Sequence, residues 1–493
     1  MDLEQDGMTP DEALAYLHAF PDFERGTAGE EILTLDRMRR LLELLDHPDQ
    51  AYGVVHVVGT KGKGSTAAMV ASCLRAAGYR AGLFTSPHLV DYRERIRVDG
   101  APISPEALAS IVGEALRPAV EGLREAGERT PLHFELQCAL AFEHFRRSGV
   151  DVAVVEAGLG GRLDATNAVS RVAETVITTI GHDHMAVLGD TLGKIAAEKA
   201  AVVRPGGRAV SAPQPAEALA VVERVCSERG ATLTLVGRDL RVAGVVERAE
   251  DTTFDLHGPR ARYDGLHVPL AGAYQAINAA TAVAALMDLR RDYPRLDDGA
   301  IGRGLAAMRW PGRLQIVARD PLVILDAAHN RESARELAAA LRRLYGGQTF
   351  VLVVAVFRDK DAADILTPLL PLASRLVVAA PAHPRALPAA DLAATARGLL
   401  VARQAQSRDR DPGSVAERDR DPGSVAERDR DPGSVVERDR DPGSVVEEAS
   451  SVGAALERAR TRAGAAGRVL VTGSLRTVGE AMIHLKVDAS SEF

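Results

Sequence analysis

The chain has 493 residues, more than one ordinary core accommodates, so two or three domains are expected. Hydrophobic residues at 46% and charged residues at 26% give a globular balance rather than a disordered or membrane one. A formal charge of −8 and only 4% aromatics speak against nucleic acid as the main partner, since both the basic surface and the stacking platforms are scarce. Cys73, Cys138 and Cys226 are odd in number and far apart, which fits buried thiols in a reducing compartment better than disulfides or a zinc site. The start, Met1 to Asp6, is acidic and lacks an apolar signal core, and no apolar run approaches the ~20 residues of a membrane span. A cytoplasmic protein with no membrane partner is expected.

Short apolar runs alternate with helical periodicity along most of the chain. Val54–Val58, Val152–Glu156, Val176–Ile180 and Arg208–Ser211 read as buried strands, with helical spacing at Ser65–Ala77 and Pro105–Leu116 between them. That alternation predicts an α/β domain with a mostly parallel sheet covered on both faces. Residues 237–269 are polar, turn-rich and β-leaning, and are expected to add a small antiparallel element. Trp310-Pro311-Gly312-Arg313 reads as a turn and hinge, so we expect one domain over 1–309 and a smaller, Rossmann-like α/β domain over 310–493. The strands of the second are predicted at Leu322–Leu325, Phe350–Val356, Leu376–Ala380 and Arg468–Val471. Within it, Arg-Asp-Arg-Asp-Pro-Gly-Ser-Val-(Ala/Val)-Glu recurs in tandem from Arg408, Arg418, Arg428 and Arg438. Pro and Gly in every copy defeat helix and strand, and one or two Val bury little, so 408–447 is expected to be a solvated, disordered insertion that can be deleted.

Chemistry concentrates at strand ends. Val54–Val58 runs into Gly59-Thr60-Lys61-Gly62-Lys63-Gly64-Ser65 and then a helical stretch. Glycines let backbone N–H groups approach phosphate oxygens, the helix start favours an anion, Lys63 can reach the outer phosphates, and the Ser65 or Thr66 hydroxyl can help hold magnesium. The strand Val152–Glu156 ends on a carboxylate suited to magnesium and continues into the glycine-rich Ala157–Asn167. After Val176–Ile180 come Gly181-His182-Asp183-His184, then Glu198-Lys199 on a helical segment. Histidines without cysteine partners argue for hard-oxygen ligation of magnesium beside ATP rather than a zinc site.

Together with Ser86-Pro87-His88-Leu89, Glu94-Arg95-Ile96, Phe134-Glu135, Ala273-Tyr274-Gln275 with Asn278, Pro311-Gly312-Arg313, Asp326-Ala327-Ala328-His329-Asn330, Asp359-Lys360-Asp361, His383-Pro384-Arg385 and Thr472-Gly473-Ser474-Leu475, these motifs resemble, in order, the folylpolyglutamate and dihydrofolate synthase family of the Mur ligase superfamily. Lys61 replaces the family's usual Asn, and Ala201 a usual Gly. The resemblance implies magnesium held by Ser86, Glu156, His184 and an N6-carboxylated Lys199. It implies ATP at Thr60, Lys61, Gly62, Lys63, Gly64, Ser65, Asn278, Arg313 and Asp326, with Lys63, Lys199 and His329 in catalysis. The pterin-bearing substrate would lie at His133, Phe134, Leu163, Asp164 and Ala165, and glutamate near His383 and Arg385. The activity implied is ATP-dependent ligation of L-glutamate to a dihydropteroate or folate carboxylate by a monomer. The alternative is another Mur-type amino-acid ligase acting on a non-folate carboxylate. A cell-wall ligase would need a nucleotide-binding domain ahead of the phosphate loop, and the residues before Val54 are too few for one.

Overall fold

The computed structural model describes residues 7–23, 33–259, 261–410 and 445–487. The chain divides into two compact units, the first ending at Pro311 and the second running from Gly312. Among the described residues no helix is long and apolar enough to cross a membrane, and Cys73, Cys138 and Cys226 are buried free thiols.

In the first unit, β1 (Gly53–Val58), β2 (Ala81–Phe84), β3 (Ile96–Val98), β4 (Ala101–Pro102), β5 (Val152–Glu156), β6 (Val172–Ile177), β7 (Arg208–Ser211) and β8 (Thr232–Leu235) make one sheet in the order β4-β3-β2-β5-β1-β6-β7-β8. Only the β2–β3 and β3–β4 pairs are antiparallel. β1 is buried along its whole length because it lies between β5 and β6 with both faces covered. Val55 and Val57 pack into the cluster with the helices Lys63–Ala76 and Ala273–Leu289, while Val54 packs into the cluster with His133–Arg147 on the other face. The chain leaves β1 toward β2 on one side and later enters β6 on the other, so the crevice at the carboxyl end of β1 is a topological switch point. The antiparallel element expected over 237–269 is β9 (Arg241–Glu247), β10 (Thr252–Gly258) and β11 (Ala261–Val268), in the order β11-β10-β9.

The strand expected at Val176–Ile180 lies earlier, at Val172–Ile177. Past Ile177 the backbone has other partners: Thr178 donates to Val58 O, Thr179 O accepts from Thr60 and Lys61, and Gln214 brackets Thr178 and Ile180. Strands β2, β3, β4 and β8 lie outside the expected set because each is only two to four residues long, too short to carry a periodic signal.

The second unit holds β12 (Gln315–Arg319), β13 (Leu322–Leu325), β14 (Phe350–Val354), β15 (Ala373–Val378), β16 (Val446–Glu448) and β17 (Arg468–Thr472), ordered β12-β13-β17-β14-β15-β16 with only β12 antiparallel. The expected insertion at 408–447 falls outside the described residues from 411 to 444, and its two ends correct the expectation. Residues 408–410 close the helix Ala389–Arg410. Val446, the last apolar residue of the repeat, is buried in β16 opposite Leu376. Glu447 is held by Arg375, Arg458 and Arg462, the last through a 3.2 Å hydrogen bond. The composition of the repeat hides this strand, because its pairing energy comes from β15 rather than from the segment itself.

Replacing residues 411–444 by a short Gly-Ser linker should therefore change stability by about 1 kcal/mol, as loop closure depends only logarithmically on length. Extending the deletion through Glu448 should cost roughly 1.5–3 kcal/mol more, from Val446 alone. Urea melts of the two deletions beside the full chain test this, and equal midpoints for the two would contradict the strand's contribution.

Candidate active site

The helix Lys63–Ala76 starts where β1 ends. Its first-turn amides at Lys63, Gly64 and Ser65 have no intrahelical acceptors, the first such bond being Thr66 N–H to Gly62 O at 2.9 Å. Thr60 and Lys61 differ from the expectation of a fully phosphate-facing loop, since both amides donate to Thr179 O at 3.0 and 3.1 Å. The Thr60 hydroxyl donates to Gly181 O. The front of the loop is thus fastened to the segment after β6, and the helix end is what can face an anion.

Two glycines are required by geometry. Gly62 has φ +81° and a Cβ there would lie 2.2 Å from Asn278 Oδ1, so Asn278 abuts the loop. At Gly64 a Cβ would lie 2.8 Å from Trp310 Cζ2 and 3.4 Å from Glu156 Oε2. Trp310 was not among the sequence candidates. Being the only tryptophan, directly before Pro311-Gly312, was the one signal available.

Glu156 ends β5 and is 5% exposed, so it is no surface charge. Its Oε2 accepts the Ser86 N–H at 3.3 Å, and its Oε1 is 3.8 Å from Lys63 Nζ. Ser86 is held by a clamp in which Glu94 accepts the amides of Leu89, Val90 and Asp91, and Arg95 donates to His88 Nδ1. Lys199, on the helix Leu192–Ala200, is buried and donates to Gly59 O at 2.7 Å. Burial first, and Lys63 second, lower its amine to about 7. His184 lies on the loop before Met185–Leu188 at φ +49°, half-exposed, with Nε2 3.9 Å from Asp183 Oδ1.

Of the expected folate residues, Phe134 is half-buried and presses on the glycine-rich loop, where a Gly158 Cβ would lie 2.5 Å from its Cζ. Leu163 is half-exposed on that loop. His133, Asp164 and Ala165 are buried. His133 Nδ1 donates to Leu17 O at 2.7 Å and Nε2 contacts Gln137 at 2.6 Å, so its nitrogens serve the protein. Asp164 accepts from Leu159 N–H, Thr166 N–H and the Thr166 hydroxyl, which shapes the loop, and burial raises its carboxyl above the usual range.

In the second unit, Asp326 follows β13 and is fully buried, accepting from Leu314 N–H at 3.0 Å and Ala328 N–H at 2.9 Å. Burial raises its carboxyl, with Arg313 opposing. Its oxygens thus brace the turn containing Arg313. His329 Nδ1 donates to Ala327 O at 2.9 Å, ahead of the helix Arg331–Tyr345 capped by Asn330. His383 and Arg385 lie together: Arg385 N–H donates to His383 Nδ1, and Phe357 packs against both.

The Mur ligase middle domain matches residues 57–286, and the Mur ligase glutamate ligase domain matches 312–475. The chain is 36% identical over 364 residues to the dihydrofolate synthase/folylpolyglutamate synthase of Bacillus subtilis, covering 73% of this chain and 83% of that one. Against the folylpolyglutamate synthase of Lacticaseibacillus casei it is 35% identical over 393 residues, covering 79% and 90%. The chain belongs to the folylpolyglutamate and dihydrofolate synthase family. It is an ATP-dependent ligase of the folate-synthase type. Its fold matches the Mycobacterium tuberculosis folylpolyglutamate synthase complexed with ADP and AMPPCP with a TM-score of 0.79 at 29% identity, over 97% of this chain and 98% of that one. Escherichia coli FolC in complex with DHPP and ADP matches with a TM-score of 0.77 at 28% identity and the same coverage.

Gly62→Ala in this ligase should cost about 1–2 kcal/mol for the left-handed backbone alone and weaken ADP binding roughly tenfold through the displaced loop. Adding Asn278→Ala removes the steric conflict but not the strain, so stability should recover only in part. Thermal melts and nucleotide titration of both variants measure this; full recovery would mean that φ at Gly62 carries no strain.

Proposed function

We propose that this ligase joins the amino group of L-glutamate to the carboxylate of dihydropteroate, of a reduced folate, or of both, through an acyl phosphate made from ATP. The observation that supports it most is the meeting, at the ends of β1 and β5, of helix first-turn amides, two lysines and one buried carboxylate. A carboxylate is a poor electrophile, so its oxygen first attacks the γ-phosphate, and the glutamate amine then displaces phosphate from the acyl phosphate. Lys63 and the amides of Lys63, Gly64 and Ser65 offset the charge building on the transferring group. Thr60, Lys61, Gly62 and Asn278 shape the nucleotide site, and Arg313 and Asp326 are further nucleotide-binding candidates. His329 is the proposed base for the incoming amine: Nδ1 gives its proton to Ala327 O, which makes Nε2 the basic nitrogen. His383 and Arg385 suit the glutamate carboxylates. Phe134, Leu163, Asp164 and Ala165, with His133 behind them, form the folate side.

The donor set fits magnesium: the Ser86 segment and the buried Glu156 carboxylate are adjacent and offer hard oxygens, with His184 as a further candidate. When bound, the cation supplies charge neutralisation on the phosphates. Lys199 suits N6-carboxylation. An ammonium would repel a cation, whereas an amine lowered to about 7 is partly neutral and nucleophilic toward carbon dioxide near neutral pH. We take the enzyme to act in the cytoplasm as a monomer.

ADP release with dihydropteroate or reduced folate, each with and without glutamate, tests the reading. Glutamate-independent turnover, or stabilisation by UDP-muramyl precursors in place of pteroates, would overturn it. Lys63→Ala should fold normally and lose about 3 kcal/mol of transition-state stabilisation, roughly 100-fold in kcat. Lys199→Ala should lose activity that bicarbonate cannot restore and a short carboxylic acid partly can, and Glu156→Gln should shift the magnesium titration to higher concentration. An unshifted titration removes Glu156 as a ligand.

A further inference from the structure

A buried polar chain runs from β1 to Asp164 in the glycine-rich loop, and its first two members, His56 and Thr166, have no part in the chemistry above. His56, in the middle of β1, is fully buried and its Nε2 lies 2.8 Å from Thr166 Oγ1. The Thr166 hydroxyl donates to Asp164 Oδ1, so the imidazole must be the donor to Thr166 and carries its proton on Nε2. His56 Nδ1 then buries a lone pair without a partner, a smaller cost than a stranded N–H. Asp164 also accepts the Leu159 and Thr166 amides at 2.7 and 3.0 Å, so one carboxylate gathers both limbs of the loop. The middle of the same loop is braced on the helix carrying Lys199. Arg162 N–H donates to Glu198 O at 2.9 Å, and a Cβ at Gly161 would lie 3.1 Å from Lys199 Cα. The loop therefore begins at Glu156, touches the Lys199 helix, and is tied by its far limb to the strand that feeds the phosphate loop.

We infer that His56 and Thr166 are positioning residues that, through Asp164, hold the 157–167 loop in the form that receives the carboxylate substrate. Neither touches substrate; both act on where Leu163, Ala165 and the Phe134-facing Gly158 stand. This deepens the proposed function and rests on that loop facing the folate side. A hydroxyl and a ring N–H are both needed, because an apolar group at 166 leaves Asp164 one donor short in a buried site, and an apolar group at 56 leaves the Thr166 oxygen without the donor that orients its hydroxyl toward Asp164. Glutamine at position 56 can present an amide N–H where Nε2 stands, and serine at 166 keeps the hydroxyl.

The test compares Thr166→Val with Thr166→Ser, and His56→Leu with His56→Gln. Steady-state KM is measured for dihydropteroate and for ATP separately, with melting temperature and amide hydrogen exchange at Leu159 and Thr166. Thr166→Val and His56→Leu should raise KM for dihydropteroate roughly tenfold or more, the loss expected of one hydrogen bond to a buried charge. KM for ATP should stay within about twofold, Leu159 exchange should accelerate, and the Ser and Gln variants should recover most of each effect. The inference is overturned if the Val variant folds with unchanged dihydropteroate KM, if both KM values rise together, or if the Ser and Gln variants fail as badly as their apolar counterparts. Should Thr166→Val not fold, the His56 pair decides by the same criteria. Should the intact enzyme fail to ligate glutamate to any pteroate or folate, the functional reading falls. Exchange at Leu159 still separates Ser from Val if the hydrogen-bond chain holds the loop, and equal exchange sinks that as well.

Discussion

The hydrogen bond from Lys199 Nζ to Gly59 O is the contact on which the rest of the site is built. It buries an amine against the first backbone carbonyl of the phosphate loop, and so fixes the helix Leu192–Ala200 to the end of β1. With Lys63 beside it, the buried amine is held near 7 rather than in its ordinary range. The same helix then sets the loop after β5, through the Glu198 carbonyl and the Arg162–Glu198 ion pair. The ends of β1 and β5 are thereby registered against one another through one helix. A small shift in either would move Glu156 relative to Lys63.

Around that contact the loop is confined rather than flexible. Thr178 stands against Gly59, Asn278 against Gly62, and Trp310 with Glu156 against Gly64. Each of these neighbours comes from a different element, so the space a phosphate could enter is defined by tertiary packing around an otherwise local motif. The binding of Thr60 and Lys61 amides by Thr179 O leaves anion recognition to the helix start, where the partial positive charge of the first turn is concentrated. The second unit repeats the principle in another form: a buried Asp326 holds a tight turn at a strand end, and His329 is oriented by a carbonyl of its own loop.

Much of this was legible beforehand. β5, β7 and β13 fall on the expected residues because a short apolar run bounded by turn residues or charge is a local signal of a buried strand. Lys63, Glu156 and Lys199 stand out as candidates for a related reason, being charged residues soon after such runs or on the helix that follows. The strand expected at Val176–Ile180 begins four residues earlier and ends three earlier, because β-branched residues continue through Ile180 while the backbone past Thr178 turns to Thr60, Lys61 and Gln214. Strand β16 was hidden in a repeat that, copy for copy, has nothing to fold with.

The sequence by itself determined the alternation of strand and helix, the phosphate loop, the charged residues at strand ends and the family to which they belong, because each rests on neighbours along the chain. Tertiary structure alone decided that Trp310 sits on Gly64, that Asp164 and His133 turn inward to serve the protein, that Val446 completes an edge strand, and that His56 reaches Thr166 across two elements. Those are contacts between residues distant in sequence, set by sheet order and helix packing. A pattern of spacing carries no information about which far segment will supply the missing donor, acceptor or apolar face.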